Sequence, residues 1–208
     1  MFCVIVPAFN EEKTVGAVVR AAWAAPGVCE VVVVDDGSED RTSAVARAAG
    51  AKVLRLSRNM GKGAAMMHGV RNTHGDPVVF LDADLIGLEP HHVSALAEPV
   101  INGEAEMTLG VFERGRAATD LAQTIAPFLS GQRAVRRELL CQLSEIEITR
   151  FGVEIALTRY ARAAGLKVVE VPLKGVSHLM KEEKMGFAKG LQARLKMYLD
   201  ILKTVQKG

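Results

Sequence analysis

The stretch Val78-Val79-Phe80-Leu81-Asp82-Ala83-Asp84 decides how this 208-residue chain is read. An apolar, β-branched run after Pro77 predicts a buried strand from Val78 through Leu81 that ends in acid at Asp82. Asp82 and Asp84 then stand one residue apart at its C-terminal end, where open α/β sheets bind their ligands. Two carboxylates at this spacing can share a divalent cation, and that cation can neutralise a diphosphate. Asp-x-Asp alone also fits an exposed acidic turn, so the surrounding chain has to decide between the two.

Upstream lie three more strand-helix units. Phe2 to Val6 reads as a strand stopped by Pro7. Asn10 fits the N-cap of a helix with Glu11 and Glu12 in its first turn, and Val15, Val18, Val19 and Ala22 form its apolar face. Glu30 to Val34 is a second strand running into Asp35-Asp36-Gly37-Ser38, with Ser38 or Asp40 placed to cap the next helix. Val53 to Leu56 is a third, followed by Met60-Gly61-Lys62-Gly63 and a helix carrying Met66, Met67 and Val70. Four such alternations predict an α/β domain, its central sheet mostly parallel with helices on both faces and its four post-strand loops on one rim. Gly61-Lys62-Gly63 suits a backbone that approaches phosphate, with Lys62 adding charge, although a plain turn reads equally well. Neither a Gly-x-Gly-x-x-Gly dinucleotide fingerprint nor a P-loop is present.

Composition narrows the classes. Apolar residues make up 49% and charged residues 24%, ordinary for a globular domain. A net charge of +2 and 5% aromatics give no footprint for nucleic acid. Cys3, Cys29 and Cys141 lie far apart and read as thiols, Cys3 and Cys29 buried ones, which points to a reducing compartment. With no signal-peptide pattern and no span of about 18 apolar residues, the expectation is a cytoplasmic protein without a transmembrane segment.

The second half predicts a helix opening at Pro90, with Val93, Leu96, Ala97 and Val100 inward, then a strand over Met107–Phe112. Arg114 and Arg116 flank Gly115 and could clamp an anionic acceptor. Ser130-Gly131-Gln132-Arg133-Ala134 is a second candidate site, since small residues let a chain pass close to substrate. A helix is expected from Phe151 to Ala164 and a strand from Lys167 to Val171, stopped by Pro172. His178 follows, and a neutral imidazole there could complete a metal site built on Asp84. The C-terminal segment 181–208 carries seven basic and three acidic residues on a predicted amphipathic helix, suited to packing on the domain, to a second copy in a homodimer, or to peripheral membrane contact.

Taken together, Val6-Pro7-Ala8-Phe9-Asn10-Glu11-Glu12, Val34-Asp35-Asp36-Gly37-Ser38, Asn59-Met60-Gly61-Lys62-Gly63 and Asp82-Ala83-Asp84-Leu85 resemble the family 2 glycosyltransferases with the GT-A fold. The resemblance implies a single domain, with residues 1–103 as the nucleotide-binding half and 104–180 as the acceptor half. It implies a nucleotide-sugar site at Pro7, Ala8, Glu11, Asp36, Lys62, Asp82 and Ala83, with Asp82 and Asp84 as the metal pair. The second half is most similar to the glucosyl-3-phosphoglycerate synthases, through Gly115-Arg116-Ala117-Ala118-Thr119, Phe151-Gly152-Val153-Glu154-Ile155 and Gly175-Val176-Ser177-His178. That similarity implies His178 as a third ligand to Mn²⁺ or Mg²⁺ and acceptor contacts at Arg116 and Thr119; Gly131, Gln132 and Arg133, read from their own residue types, are expected to join them at the acceptor.

The expected activity is metal-dependent transfer of a sugar, UDP-glucose favoured as donor, to a small phosphorylated acceptor such as 3-phosphoglycerate. Asp84 is the expected catalytic centre; an inverting reaction would also need a carboxylate base, for which Glu147 and Glu154 stand as candidates. Rival readings are transfer to a polyprenyl phosphate at a membrane surface and a nucleotide-sugar binding protein without turnover. A pyrophosphorylase would need a Gly-rich basic loop after strand one, where this chain is acidic.

Overall fold

The computed structural model describes residues 1–112, 130–142 and 153–179. Residues Met1–Ser177 form one compact unit; of the second, His178–Gly208, only His178 and Leu179 are described. The first unit is built on a seven-stranded sheet. Its strands are β1 (Phe2–Ala8), β2 (Val28–Asp35), β3 (Lys52–Arg55), β4 (Val78–Phe80), β6 (Met107–Phe112), β7 (Arg133–Val135) and β8 (Val168–Leu173); a separate two-stranded sheet joins β5 (Leu85–Ile86) and β9 (Ser177–His178). The order across the large sheet is β3-β2-β1-β4-β7-β6-β8. All neighbours are parallel except β7, which runs antiparallel between β4 and β6.

That order places the ligand end. The chain winds one way from β1 through β2 to β3, then returns to lay β4 on the other side of β1. A crevice opens at such a reversal, beyond the C-terminal ends of the strands. The loops after β1 and β4 flank it.

Side-chain alternation along the strands builds a core on each face. On β1, Phe2, Val4, Val6 and Ala8 join one core while Cys3 and Ile5 join the other. On β2, Val31 and Val33 face the first and Val32 and Val34 the second. The first is closed by α1 (Val15–Trp23), α2 (Thr42–Ala48) and α4 (Pro90–Ile101), with Val93, Leu96, Ala97 and Val100 inward as their spacing predicts. The second is closed by α3 (Lys62–Arg71) through Ala65, Met66, Met67 and Val70, joined by Leu139 and Leu140 of α5 (Arg137–Gln142) and Leu157 and Ala161 of α6 (Val153–Ala163). Each such large apolar side chain contributes about 1.5–3 kcal/mol by leaving water.

Several sequence expectations are corrected. β1 does not stop at Pro7 but runs to Ala8, with Pro7 opposite Val34. The Cys3 N–H and the Ile5 carbonyl both bond on the β4 side, so Pro7 faces that way too, and pairing with β4 ends at Ile5. The missing N–H of Pro7 therefore costs no ladder bond. Pro172 likewise sits inside β8, an edge strand, opposite Val111. Helix α1 begins at Val15, not after Asn10, because Asn10 takes a left-handed φ of 56° and the chain turns before helix starts. β4 ends at Phe80; Leu81 N–H still reaches the Ile5 carbonyl, and Asp82 lies past it. Cys29 is exposed, its place being the start of β2 rather than the core.

Candidate functional site

The loop after β1 and the loop after β2 are stitched together by hydrogen bonds. The backbone N–H groups of Asn10, Glu11 and Glu12 donate to Ser38 Oγ, Thr42 Oγ1 and Asp40 Oδ2 at 2.9, 2.8 and 3.1 Å. Glu39 N–H returns a bond to Asn10 Oδ1 at 2.8 Å. Four donors with no ladder partner are thus satisfied by side chains of the facing loop. Glu11 is half-buried within this arrangement.

Asp35 and Asp36 are buried, not a solvated turn. Asp35 accepts from Ser38 N–H at 2.8 Å and from the Ser43 hydroxyl, with Arg55 Nη1 at 3.8 Å. Burial pushes its carboxyl up, but the hydrogen bonds from Ser38 and Ser43, helped by Arg55, outweigh it and hold Asp35 below the ordinary value. Asp36 accepts from the N–H groups of Met60 and Gly61 at 2.7 and 2.8 Å. It therefore pins the turn that starts α3, where Gly61 stands at φ 93°, a conformation glycine adopts without strain.

Lys62, the first residue of α3, reaches across the crevice. Its Nζ lies 2.6 Å from Asp82 Oδ1. The other Asp82 oxygen, Oδ2, accepts from Gln132 Nε2 at 2.8 Å. Gly131 passes so close that a Cβ on it would lie 2.5 Å from both Asp82 oxygens and 2.6 Å from Lys62 Nζ. The loops after β3 and β4 and the segment leading into β7 thus converge on one carboxylate. Asp82 and Asp84 are half-buried and Ala83 is buried. Asp82 and Asp84 each offer a carboxylate at this end of the sheet, and His178, half-buried, opens the second unit. Two carboxylate oxygens and an imidazole nitrogen match what Mn²⁺ and Mg²⁺ accept.

The residues expected at the acceptor divide. Gln132 and Arg133 are fully buried: Gln132 holds Asp82, and Arg133 Nη2 donates to the Ser130 carbonyl. Both side chains therefore have internal partners. Pro7 and Ala8 are buried in β1 at the crevice wall. Arg116, Thr119, Glu147 and the predicted C-terminal helix lie outside the described residues, and of Glu154 only its place in α6 is described. Sequence reading missed the link between Gln132 and Asp82; the signal was the small pair Ser130-Gly131 ahead of a polar residue, without any hint of which strand it would enter. It also gave His92 no role, yet His92 is buried and completes the capping box of α4, its Nδ1 accepting from Glu89 N–H at 3.0 Å.

Known proteins resemble this chain over most of its length. The model of the family described as Glycosyl transferase family 2 matches residues 3–151. A glucosyl-3-phosphoglycerate synthase of Mycobacterium tuberculosis is 32% identical over 191 residues, covering 74% of this chain and 58% of that protein. The chain thus spans somewhat over half the length of that curated relative. An undecaprenyl-phosphate 4-deoxy-4-formamido-L-arabinose transferase of Pseudomonas paraeruginosa is 34% identical over 110 residues, 48% of this chain and 32% of that one. Among solved structures, the M. tuberculosis synthase in complex with Mn²⁺, UDP-glucose and phosphoglyceric acid superposes with a TM-score of 0.70 at 31% identity, covering 85% of this chain and 71% of that one.

Proposed function

The chain belongs to glycosyl transferase family 2, and from that premise we propose that it transfers glucose from UDP-glucose to a small phosphorylated acceptor of the 3-phosphoglycerate kind. The observation that carries this reading is the convergence of Lys62, Gln132 and Asp82 at the strand reversal, two residues from Asp84. The similar synthase whose solved complex holds Mn²⁺, UDP-glucose and phosphoglyceric acid supports the choice of donor and acceptor.

In this reading Asp82, Asp84 and His178 hold a divalent cation, which supplies charge stabilisation to the diphosphate as it leaves. Lys62 adds a second positive charge on the same side of the crevice. The stitched loops after β1 and β2, with Pro7, Ala8, Glu11 and Asp36, form the nucleotide wall. Asp36 spends its two oxygens on Met60 and Gly61, so it shapes that wall by fixing the Gly61 turn as well as by facing the base. Arg116 and Thr119 remain the proposed acceptor contacts, and Glu147 and Glu154 the carboxylates for an inverting route. The substrates are water-soluble, and the setting that goes with them is the cytoplasm; no helix among the described residues is long and apolar enough to cross a membrane.

Product analysis by mass spectrometry tests the reading. Purified protein with Mn²⁺ is offered UDP-glucose with 3-phosphoglycerate or with a short polyprenyl phosphate. Glucosyl-phosphoglycerate is the expected product. A polyprenyl-linked sugar instead would move the reaction to a membrane surface, and donor binding with neither product would leave a nucleotide-sugar binding protein.

A further inference from the structure

We propose that Gln132 is a positioning residue that sets the orientation of the Asp82 carboxylate, rather than a contact to the acceptor. The proposal rests on the reading of Asp82 as a cation ligand. A carboxylate only accepts hydrogen bonds, so the amide nitrogen of Gln132 must face Asp82 and its Oε1 must face Ser130. The distances agree: Nε2 to Asp82 Oδ2 is 2.8 Å, and the Ser130 hydroxyl oxygen stands 3.0 Å from Oε1 and 2.6 Å from the Gly110 carbonyl, the two acceptors sharing its one proton. The side chain is fully buried, so it does not swing out to water.

The backbone beneath it is equally fixed. The Gln132 carbonyl accepts from Gly110 N–H at 2.8 Å, and Gln132 N–H donates to Ser130 Oγ at 3.3 Å. Asp82, by contrast, lies beyond the end of β4, where no ladder bond holds it. A rigid donor on Oδ2 and the Lys62 ammonium on Oδ1 both act on how the carboxylate is turned. Groups that bond the outer oxygen of a metal-binding carboxylate tune affinity even though they never touch the ion.

Gln132→Met keeps the length of the side chain and removes its N–H donor; Ser130→Ala leaves Gln132 in place and loosens Oε1. Mn²⁺ binding to donor-free protein is read by the electron paramagnetic resonance signal of free Mn²⁺, with thermal melting as the folding control. Wild type and Asp82→Ala come first: if wild type takes up no Mn²⁺, the reading of Asp82 fails, and with it the ground for this proposal. Given wild-type binding, Gln132→Met is expected to weaken Mn²⁺ affinity by on the order of 10-fold. Ser130→Ala should weaken it less, and the KM for the acceptor should hold in both. Unchanged Mn²⁺ affinity in Gln132→Met overturns the proposal, and a raised acceptor KM alongside it returns Gln132 to the acceptor. Should Gln132→Met not fold, unchanged Mn²⁺ affinity in Gln132→Asn, whose shorter amide no longer reaches Asp82, overturns it instead.

Discussion

Gly131→Ala adds one methyl group at the tightest point of the site. The new Cβ would stand 2.5 Å from each Asp82 oxygen and 2.6 Å from Lys62 Nζ, where ordinary contact begins at 3.4 Å. Something must move by about 0.9 Å to restore a normal separation. Asp82 is the group that yields, because Gly131 is tied into the segment entering β7 while Asp82 lies past the end of β4. A shift of that size carries the 2.8 Å bond from Gln132 past the distance at which it still counts as a hydrogen bond. Losing one hydrogen bond to a charged group costs about 1.5–3 kcal/mol. The Lys62 pair adds little, its ammonium being 35% exposed and screened by water. The expected result is a divalent-cation affinity lowered roughly 10- to 100-fold. The melting temperature should fall as well, by roughly 2–4 °C per kcal/mol for a chain of this size, because the same hydrogen bond holds the cation-free loop. Calorimetric titration of Mn²⁺ into wild type and variant measures the first, and a thermal melt the second. A variant that binds Mn²⁺ as wild type does would refute the argument that Asp82 must stay where Gln132 and Lys62 hold it.

Further substitutions probe the parts around that point. Asp84→Ala is expected to abolish Mn²⁺-dependent binding of UDP-glucose; binding that persists with Mn²⁺ would remove Asp84 from the metal site. Asp36→Asn replaces one of two acceptors with a donor that faces a backbone N–H, costing about 1–3 kcal/mol; urea unfolding should show that loss together with weaker UDP binding. Gly69→Ala should destabilise although alanine favours helix, because its Cβ would meet Ile5 Cγ2 at 2.6 Å where α3 packs on β1, and such overpacking costs about 1–3 kcal/mol; a higher melting temperature would refute this. Burial, aided by His91, lowers the pKa of His92 below its ordinary 6.5 against the opposing pull of Glu89 and the Lys174 carbonyl. Its stabilising contribution is therefore complete above that ordinary value and is lost as pH falls through the lowered one. Unfolding followed as pH falls below 6.5 should show this loss, and His92→Asn, which keeps an acceptor for Glu89 N–H, should flatten it.

The parallel half of the fold was legible because its code is local. Alternation along β1 and β2 writes both cores into a few residues, and the acid or glycine after each strand marks the rim. The helix face of Val93, Leu96, Ala97 and Val100 was legible for the same reason. The errors lie where a neighbour decides. Pro7 and Pro172 read as strand ends, since a missing N–H breaks a ladder; whether it does depends on which side carries a partner. Asn10 read as a cap because the sequence does not say that the facing loop will take up the donors of residues 10–12.

The same distinction separates the two kinds of site residue. Asp82 and Asp84 stand out in the sequence as proposed ligands because their spacing suggests the chemistry: two carboxylates one residue apart after an apolar run. Gln132 was not, because its role depends on β7 entering the sheet antiparallel between β4 and β6, fifty residues from its partner. The register Phe80 opposite Arg133 sets Gln132 just past the strand pair, level with the loop that carries Asp82. Three residues of strand thus convert a turn-like Ser130-Gly131-Gln132 into a rigid hold on a carboxylate. A sliding of that register by one residue would turn Gln132 to the other face of the sheet and leave Asp82 to Lys62 alone among these two partners. The antiparallel insertion of β7, more than the aspartates themselves, is what makes the acidic loop a defined site.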